Sequence, residues 1–287
     1  MPTPDASIRR KVLVTPSELN DMMTGAKPPT VFAVQSENPY TATSSRVGRW
    51  IPSAIDVEAY TDFAAPAAPD LGQRPLPEGA AFQAAARKWG LQHDRPIVVY
   101  DVERAMTAAR AWWVLRWAGL SDVRVLDGGL DAWEKAGFST TQSSEIPQQS
   151  DITLTFGHMP ELGGDAALGM VETGVLLDAR IRPNYIGGAE KHGDPRRGHI
   201  PGALSAPAPD NFTDEGPITN SETLAEMYRG LGATDGTAVG VYCGAGMSAA
   251  VTVLALASIG VEAAMYPGSW SQYINQPDRP VKRGPFP

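Results

Sequence analysis

The order of motifs in the first half of this 287-residue chain returns in the second half. A repeat of that length constrains the fold more than any local pattern, because each copy must form the same structural unit. The apolar, β-rich run Pro96-Ile-Val-Val-Tyr-Asp101 is followed by a helical pattern from Ala105 to Trp117, then Ala118-Gly-Leu120, Val123-Arg-Val-Leu-Asp-Gly-Gly129 and Trp133. The same order reappears as Ala238-Val-Gly-Val-Tyr-Cys243, a helical run from Met247 to Ser258, Ile259-Gly260, Ala264-Met-Tyr-Pro-Gly-Ser-Trp270 and Tyr273. Upstream, Trp50-Ile-Pro-Ser-Ala54 matches His199-Ile-Pro-Gly-Ala203, and Val31-Phe-Ala-Val-Gln35 matches Leu176-Leu-Asp-Ala-Arg180. The offset drifts from 149 residues (Trp50 to His199) to 140 (Trp133 to Tyr273), as expected when loops carry the insertions.

Within each copy short apolar strands alternate with helical stretches, which predicts an α/β fold with parallel sheets and helices on both faces. Expected strands are 30–34, 97–100, 123–126, 174–178, 238–242 and 262–266. Expected helices are 79–89, 105–118, 129–136, 221–230, 247–259 and 269–273. Ser17 with Glu18, and Asn220 with Ser221, read as helix caps. The polar run Ser139 to Ser150 has no apolar period and reads as the linker. The expected division is 1–138 for the first domain, 139–165 for the linker region and 166–287 for the second domain.

Composition narrows the function classes. Cys243 is the single cysteine, so an intramolecular disulfide, a cysteine-based zinc cluster and a CxxC pair are excluded. His93, His158, His192 and His199 stand singly, with no metal-ligand spacing, so neither metal nor cofactor is expected. A net charge of −8, from 24 basic and 32 acidic residues, argues against a nucleic-acid surface. No apolar run is long enough to span a membrane, and the polar start of the chain is the wrong shape for a secretory signal; a cytoplasmic location is expected.

The chemistry concentrates at Cys243. It ends an expected strand and precedes Gly244-Ala-Gly-Met-Ser248, which opens the next helix. In a parallel sheet that strand end is where ligands bind. Two glycines allow a tight turn whose N–H groups converge on one centre, and the helix N-terminus adds about half a positive charge, which favours a thiolate. A lone cysteine taken at random is a small buried hydrophobe. Here the repeat argues for a reactive thiolate, since Asp101 in the other copy shows that the fold needs no cysteine at that place.

The run Val241-Tyr-Cys-Gly-Ala-Gly-Met-Ser-Ala-Ala250, together with Asp178-Ala-Arg180, Gly198-His-Ile-Pro-Gly-Ala203 and Tyr266-Pro-Gly-Ser-Trp270, resembles the tandem rhodanese-domain sulfurtransferases. Arg110-Ala-Trp-Trp-Val114 and Leu126-Asp-Gly-Gly-Leu130 resemble the family's catalytically silent N-terminal domain. The resemblance implies two rhodanese-like domains and double displacement: Cys243 takes sulfane sulfur from thiosulfate or 3-mercaptopyruvate as a persulfide and passes it to cyanide or a thiol. Gly244, Ala245, Gly246, Met247 and Ser248 would hold that persulfide through their N–H groups, with the Ser248 hydroxyl adding a donor and a helix cap. Asp178, Arg180 and His199 are expected to support the scaffold. The expected partners are a small sulfur donor, a thiol or cyanide acceptor and a thioredoxin-like reductant, and a monomer is expected.

The sequence departs from the family at several places. Ala245 replaces the serine of the mercaptopyruvate branch, and Gly244-Ala245 replaces the Arg-Lys of the thiosulfate branch. Trp50 stands where the mercaptopyruvate branch has a histidine, with Arg49 beside it offering a charge instead, and Ala33-Val-Gln35 stands where the first domain would carry Asp-x-Arg. The family's substrate-binding arginine falls on Asn184, with Arg182, Arg196 and Arg197 as candidates to replace its charge. A phosphatase on this type of domain would need an arginine closing the loop after the cysteine, and none is present. The remaining alternative is a non-enzymatic sulfur carrier or anion-binding module.

Overall fold

A computed structural model of the chain describes residues 6–38, 43–188 and 197–287. The first copy builds a five-stranded, all-parallel sheet in the order Leu13–Val14, Val123–Leu126, Ile97–Tyr100, Thr30–Gln35, Ala54–Glu58. The second builds a four-stranded parallel sheet in the order Ala264–Met265, Val239–Tyr242, Val175–Asp178, Leu204–Ser205. Strand residues point alternately to the two faces, and both faces are buried. Phe32, Val34, Ile97, Val99, Val123 and Val125 enter one core, whereas Val31, Ala33, Val98, Tyr100 and Leu126 enter another.

The first of these cores is shared by the two copies, because it also takes Leu177, Val239, Val241, Cys243 and Met265 from the second sheet. Two helices fill the space between the sheets. Met106–Trp117 buries every residue from Thr107 to Leu115, and Ser248–Ala257 buries every residue from Ala249 to Leu256. A helix with so few polar residues must be enclosed. Each is also small along part of its length, with Ala108, Ala109 and Ala111 in one and Ala249, Ala250 and Ala255 in the other. A clasp reinforces the junction: Arg9 donates to Asp127 Oδ2 at 2.8 Å and to the carbonyls of Ile218 at 2.7 Å and Thr219 at 2.9 Å.

Several elements differ from the sequence expectation. The edge strands Leu13–Val14, Ala54–Glu58 and Leu204–Ser205 are too short or too polar on one face to stand out as apolar runs. The expected strand 262–266 contracts to Ala264–Met265, and the expected helix 247–259 to Ser248–Ala257. Thr15, not Ser17, caps the helix Pro16–Thr24: its side chain accepts from Glu18 N while Glu18 accepts from Thr15 N, a capping box. Asn220 caps Ser221–Gly230 through Thr223 N at 3.0 Å. The polar stretch after residue 138 runs extended along the first copy. It pairs with Trp50 at Thr141, buries Ile152 and Leu154, and receives Gln83 Nε2 on the Ile152 carbonyl at 2.7 Å.

A shared core makes the two copies one cooperative unit. Six of the seven tryptophans precede residue 140, so tryptophan fluorescence reports mainly the first copy and far-ultraviolet circular dichroism reports both. The two signals should fall along one urea transition; separated midpoints would show that the copies unfold independently.

Candidate active site

Cys243 continues the central strand of the second sheet, where Tyr242 is in register with Asp178 and Val241 with both Leu177 and Met265. Its side chain points to the shared core and is only 1% exposed. The chain then turns through Gly244–Met247 into the helix Ser248–Ala257, so the thiol lies at the helix N-terminus, where the macrodipole favours an anion. Gly246 N donates to Cys243 Sγ at 3.1 Å. Gly246 is left-handed (φ +76°), and a Cβ there would lie 2.6 Å from the Pro267 carbonyl oxygen and 3.0 Å from Arg110 Nη1. Only glycine fits this position without displacing the backbone.

A second turn, Tyr266–Ser271, holds the cysteine from the other side. The Cys243 carbonyl accepts from Trp270 N and the Gly244 carbonyl from Ser271 N, both at 2.9 Å. Cys243 N donates to Ser269 Oγ at 3.2 Å, and that hydroxyl, 3.9 Å from Sγ, donates to the Tyr266 carbonyl at 2.7 Å. Ser269 adopts φ +52°, a strained value for a serine. The equivalent residue of the first copy is Gly129, at φ +59°. The second copy therefore carries a hydroxyl beside the thiol in a backbone conformation that the first copy meets with glycine.

The first copy displays what such a turn holds. Asp101, at the cysteine position, accepts from Glu103 N (3.0 Å), Ala105 N, Thr107 N and Ala108 N (each 2.9 Å) and from Thr107 Oγ1 (3.0 Å). Four backbone N–H groups, with the Thr107 hydroxyl that also lies 2.9 Å from the Val34 carbonyl, converge on this buried side chain and counter the rise that burial imposes on its pKa. The strand–turn–helix unit is thus an anion cradle, saturated in one copy and built around a thiol in the other.

Behind the cradle, Asp178 and Arg180 form a buried ion pair, with Arg180 Nε 2.9 Å from Oδ1 and Nη2 2.5 Å from Oδ2; Nη2 also reaches the Gly198 carbonyl at 2.6 Å. Burial opposes the Arg180 charge, but Asp178 overrides it and holds the guanidinium above its ordinary value. Tyr242 OH donates to Asp178 Oδ2 at 2.7 Å and accepts from Ile200 N at 3.1 Å. Burial and the Asp178 carboxylate push this phenol well up, so it remains a donor. His199 stacks on Tyr185 at 3.8 Å, donates from Nδ1 to the Tyr185 carbonyl at 2.8 Å and pairs through its backbone with Lys282. Burial lowers the pKa of the ring, which favours neutral imidazole.

The remaining candidates scatter. Arg182 and Asn184 are exposed on the short helix Arg182–Ile186, beyond the end of the Asp178 strand and therefore at the same C-terminal end of the sheet as Cys243. Arg197 donates to the Gly188 carbonyl at 3.2 Å, and Arg196 lies outside the described residues. Ala245 and Met247 are buried. Met247, without a side-chain cap bond, occupies the N-cap, so the expectation that Ser248 caps this helix is corrected; its hydroxyl instead contacts Met106 Sδ of the first copy at 3.7 Å. Arg49 is likewise corrected as a charge for the cleft: it pairs with Glu134 at 2.6 Å and lines a hollow beside Asp101.

Two residues of the site escaped the sequence reading. Ser269 was visible in the repeat as the partner of Gly129. Arg110 is fully buried in the helix Met106–Trp117 and reaches across to the Gly246 carbonyl at 3.5 Å, while Nε donates to Phe63 O (3.2 Å) and Nη2 to Arg74 O (3.1 Å) and Pro75 O (3.2 Å). The segment around Arg74 also docks on the second copy, through Gln73 N to Ser271 Oγ (2.9 Å) and Gln272 Nε2 to Asp70 O (2.7 Å).

The two loop glycines give a controlled comparison. A Cβ at Gly244 meets nothing within 4 Å, whereas Gly246 is left-handed and crowded. Gly246→Ala should lose about 1–2 kcal/mol of stability from its backbone conformation alone, and Gly244→Ala far less. Thermal unfolding of the two variants checks this; equal losses would show that the Gly246 conformation does not matter.

The Rhodanese-like domain family matches residues 15–136 and again 165–276. The chain is 38% identical over 282 residues to the putative thiosulfate sulfurtransferase SseB of Mycobacterium tuberculosis, covering 96% of this chain and 98% of that protein. It is 37% identical over 246 residues to the probable 3-mercaptopyruvate sulfurtransferase of Pseudomonas aeruginosa, covering 82% and 84% respectively. Among solved structures, the anaerobic ergothioneine biosynthesis enzyme from Chlorobium limicola, in complex with trimethyl histidine, shares the fold. That comparison has a TM-score of 0.81 at 19% identity, over 99% of this chain and 72% of that one. With both copies matched and whole-length relatives at this identity, the chain belongs to the tandem rhodanese-domain sulfurtransferase family.

Proposed function

We propose that this protein moves sulfane sulfur from a small donor, thiosulfate or 3-mercaptopyruvate, to cyanide or a thiol through a persulfide on Cys243. The observation that carries the reading is the Cys243 thiol at a helix N-terminus with Gly246 N on its sulfur. The Cys243 thiolate attacks the outer sulfur of the donor. With thiosulfate the S–S bond breaks and sulfite leaves with the electron pair; with 3-mercaptopyruvate the C–S bond breaks and the carbon fragment leaves as an enolate, which takes up a proton to give pyruvate. The acceptor then attacks the outer sulfur of the persulfide, its S–S bond breaks and the Cys243 thiolate returns. The negative charge stays at the cradle throughout, where Gly246 N already points at the sulfur and needs no reorientation.

On this reading the first copy performs no sulfur chemistry of its own, since Asp101 fills its cradle and is saturated by N–H donors. A small dithiol reductant of the thioredoxin class suits the acceptor step, because it releases the sulfur as sulfide and becomes a disulfide. The names of the relatives support both donors. The loop itself favours neither, since Gly244, Ala245, Gly246 and Met247 carry no cationic or hydroxyl side chain.

Intact mass after brief incubation with each donor tests the reading: a gain of about 32 Da on Cys243 identifies a persulfide and the donor that formed it. Cys243→Ala should abolish turnover and leave the fold intact, and retained activity would overturn the assignment. Ala245→Ser restores a hydroxyl at the loop position where the mercaptopyruvate branch has one. It should raise the 3-mercaptopyruvate to thiosulfate rate ratio several-fold; an unchanged ratio would show that the donor is selected outside the loop.

A further inference from the structure

We infer that Arg110, contributed by the first copy, is the positioning counter-charge of the Cys243 thiolate. Arg110 lies in the middle of the helix Met106–Trp117 and is 0% exposed. A charge so enclosed needs a partner of opposite sign or a full set of hydrogen bonds. Among the described residues it has no carboxylate in ion-pair contact. Its bonds go to the carbonyls of Phe63, Arg74 and Pro75, and the remaining nitrogen, Nη1, is turned toward the Cys243 loop, 3.5 Å from the Gly246 carbonyl. Gly246 is the residue whose N–H holds the sulfur. Nη1 and the Pro267 carbonyl together leave no room for a Cβ at Gly246, so the guanidinium is packed directly against the turn.

The repeat supplies an internal control. The two helices close on matching bonds, Gly119 N to the Arg116 carbonyl and Gly260 N to the Ala257 carbonyl, 141 residues apart, so the residue equivalent to Arg110 is Val251, buried and apolar. The inner helix of this fold therefore accommodates an uncharged residue at that place. The cation is found on the helix that faces the thiol cradle, and the helix that follows the thiol carries none. Burial pulls the Arg110 guanidinium down to about 10; Cys243 opposes this as the negative partner, and the neighbouring Arg74 cation adds to it. Arg110 remains protonated at neutral pH, held by four carbonyls, and the Cys243 sulfur is the site of its one anionic partner in the proposal. The domain without a cysteine thus supplies electrostatics to the domain that has one. The inference shares with the proposed function the premise that Cys243 works as an anion.

The single cysteine makes the test direct. Iodoacetamide alkylation of the full-length protein is followed against pH for the native chain, Arg110→Gln and Arg110→Lys, with circular dichroism as the check of folding. The expected result is an Arg110→Gln profile displaced by about one pH unit upward, or about tenfold slower alkylation on the acid side, with Arg110→Lys recovering most of the loss. A folded Arg110→Gln protein with the native profile overturns the inference.

If Arg110→Gln does not fold, the native protein still decides. The Arg110 Nε–H resonance should shift through the same inflection as the ultraviolet absorbance of the thiolate and lose that inflection in Cys243→Ala; a flat titration overturns the inference. The two readings separate cleanly. A displaced alkylation profile without any persulfide from either donor leaves Arg110 in place and sinks the proposed sulfur transfer, and persulfide formation with an undisplaced profile does the reverse.

Discussion

The packing of Met106–Trp117 against Ser248–Ala257 between the two sheets is the contact on which the rest of the molecule depends. Neither helix has a polar face to offer water, so each copy alone would expose a large apolar surface. Bringing the copies together buries both surfaces in one core that runs from Phe32 in the first sheet to Met265 in the second. The arrangement also decides where the chemistry sits. Each helix begins at a strand-end turn, so the same packing that encloses the helices brings elements of one copy against the turn of the other.

The duplication has kept the geometry of the turn and changed its content. Tyr100 OH accepts from Ile51 N at 3.0 Å and Tyr242 OH from Ile200 N at 3.1 Å, the same brace in both copies. Only the second adds the Asp178–Arg180 pair behind it, because Ala33 and Gln35 occupy those places in the first. Asp101 satisfies its own cradle with a carboxylate, and its turn can close on itself. Cys243 leaves a cradle with a thiol in it, a strained Ser269 beside it and a cation from the opposite helix against its turn.

The central strands, the long helices and the place of Cys243 at a strand end before a glycine turn were legible from periodicity and from the repeat, because these features follow from spacing along the chain. The strands 97–100 and 123–126 coincide with the sequence reading to the residue, and the central strand of the second sheet differs by one. Edge strands such as Leu13–Val14 and Leu204–Ser205 were not legible. Two residues carry no period, and pairing with a neighbour far along the chain is what makes them strands. Thr15 was passed over for Ser17 as a cap because both residue types can accept from a helix N-terminus, and only backbone geometry chooses between them.

By itself the sequence determined a duplicated α/β unit with one thiol at a strand end and a glycine turn suited to an anion, since repeat order, strand propensity and turn chemistry are local properties. Tertiary structure alone decided which distant groups stand around that thiol. Arg49, adjacent to the expected histidine position, is taken up by Glu134, whereas Arg110, 136 residues from Gly246 in the chain, lies against the Cys243 turn. Ser269 meets Cys243 because the turn after Met265 folds over the strand end. Such contacts depend on which faces of the helices pack together, and two copies that share one core settle that jointly, beyond the reach of spacing within either copy.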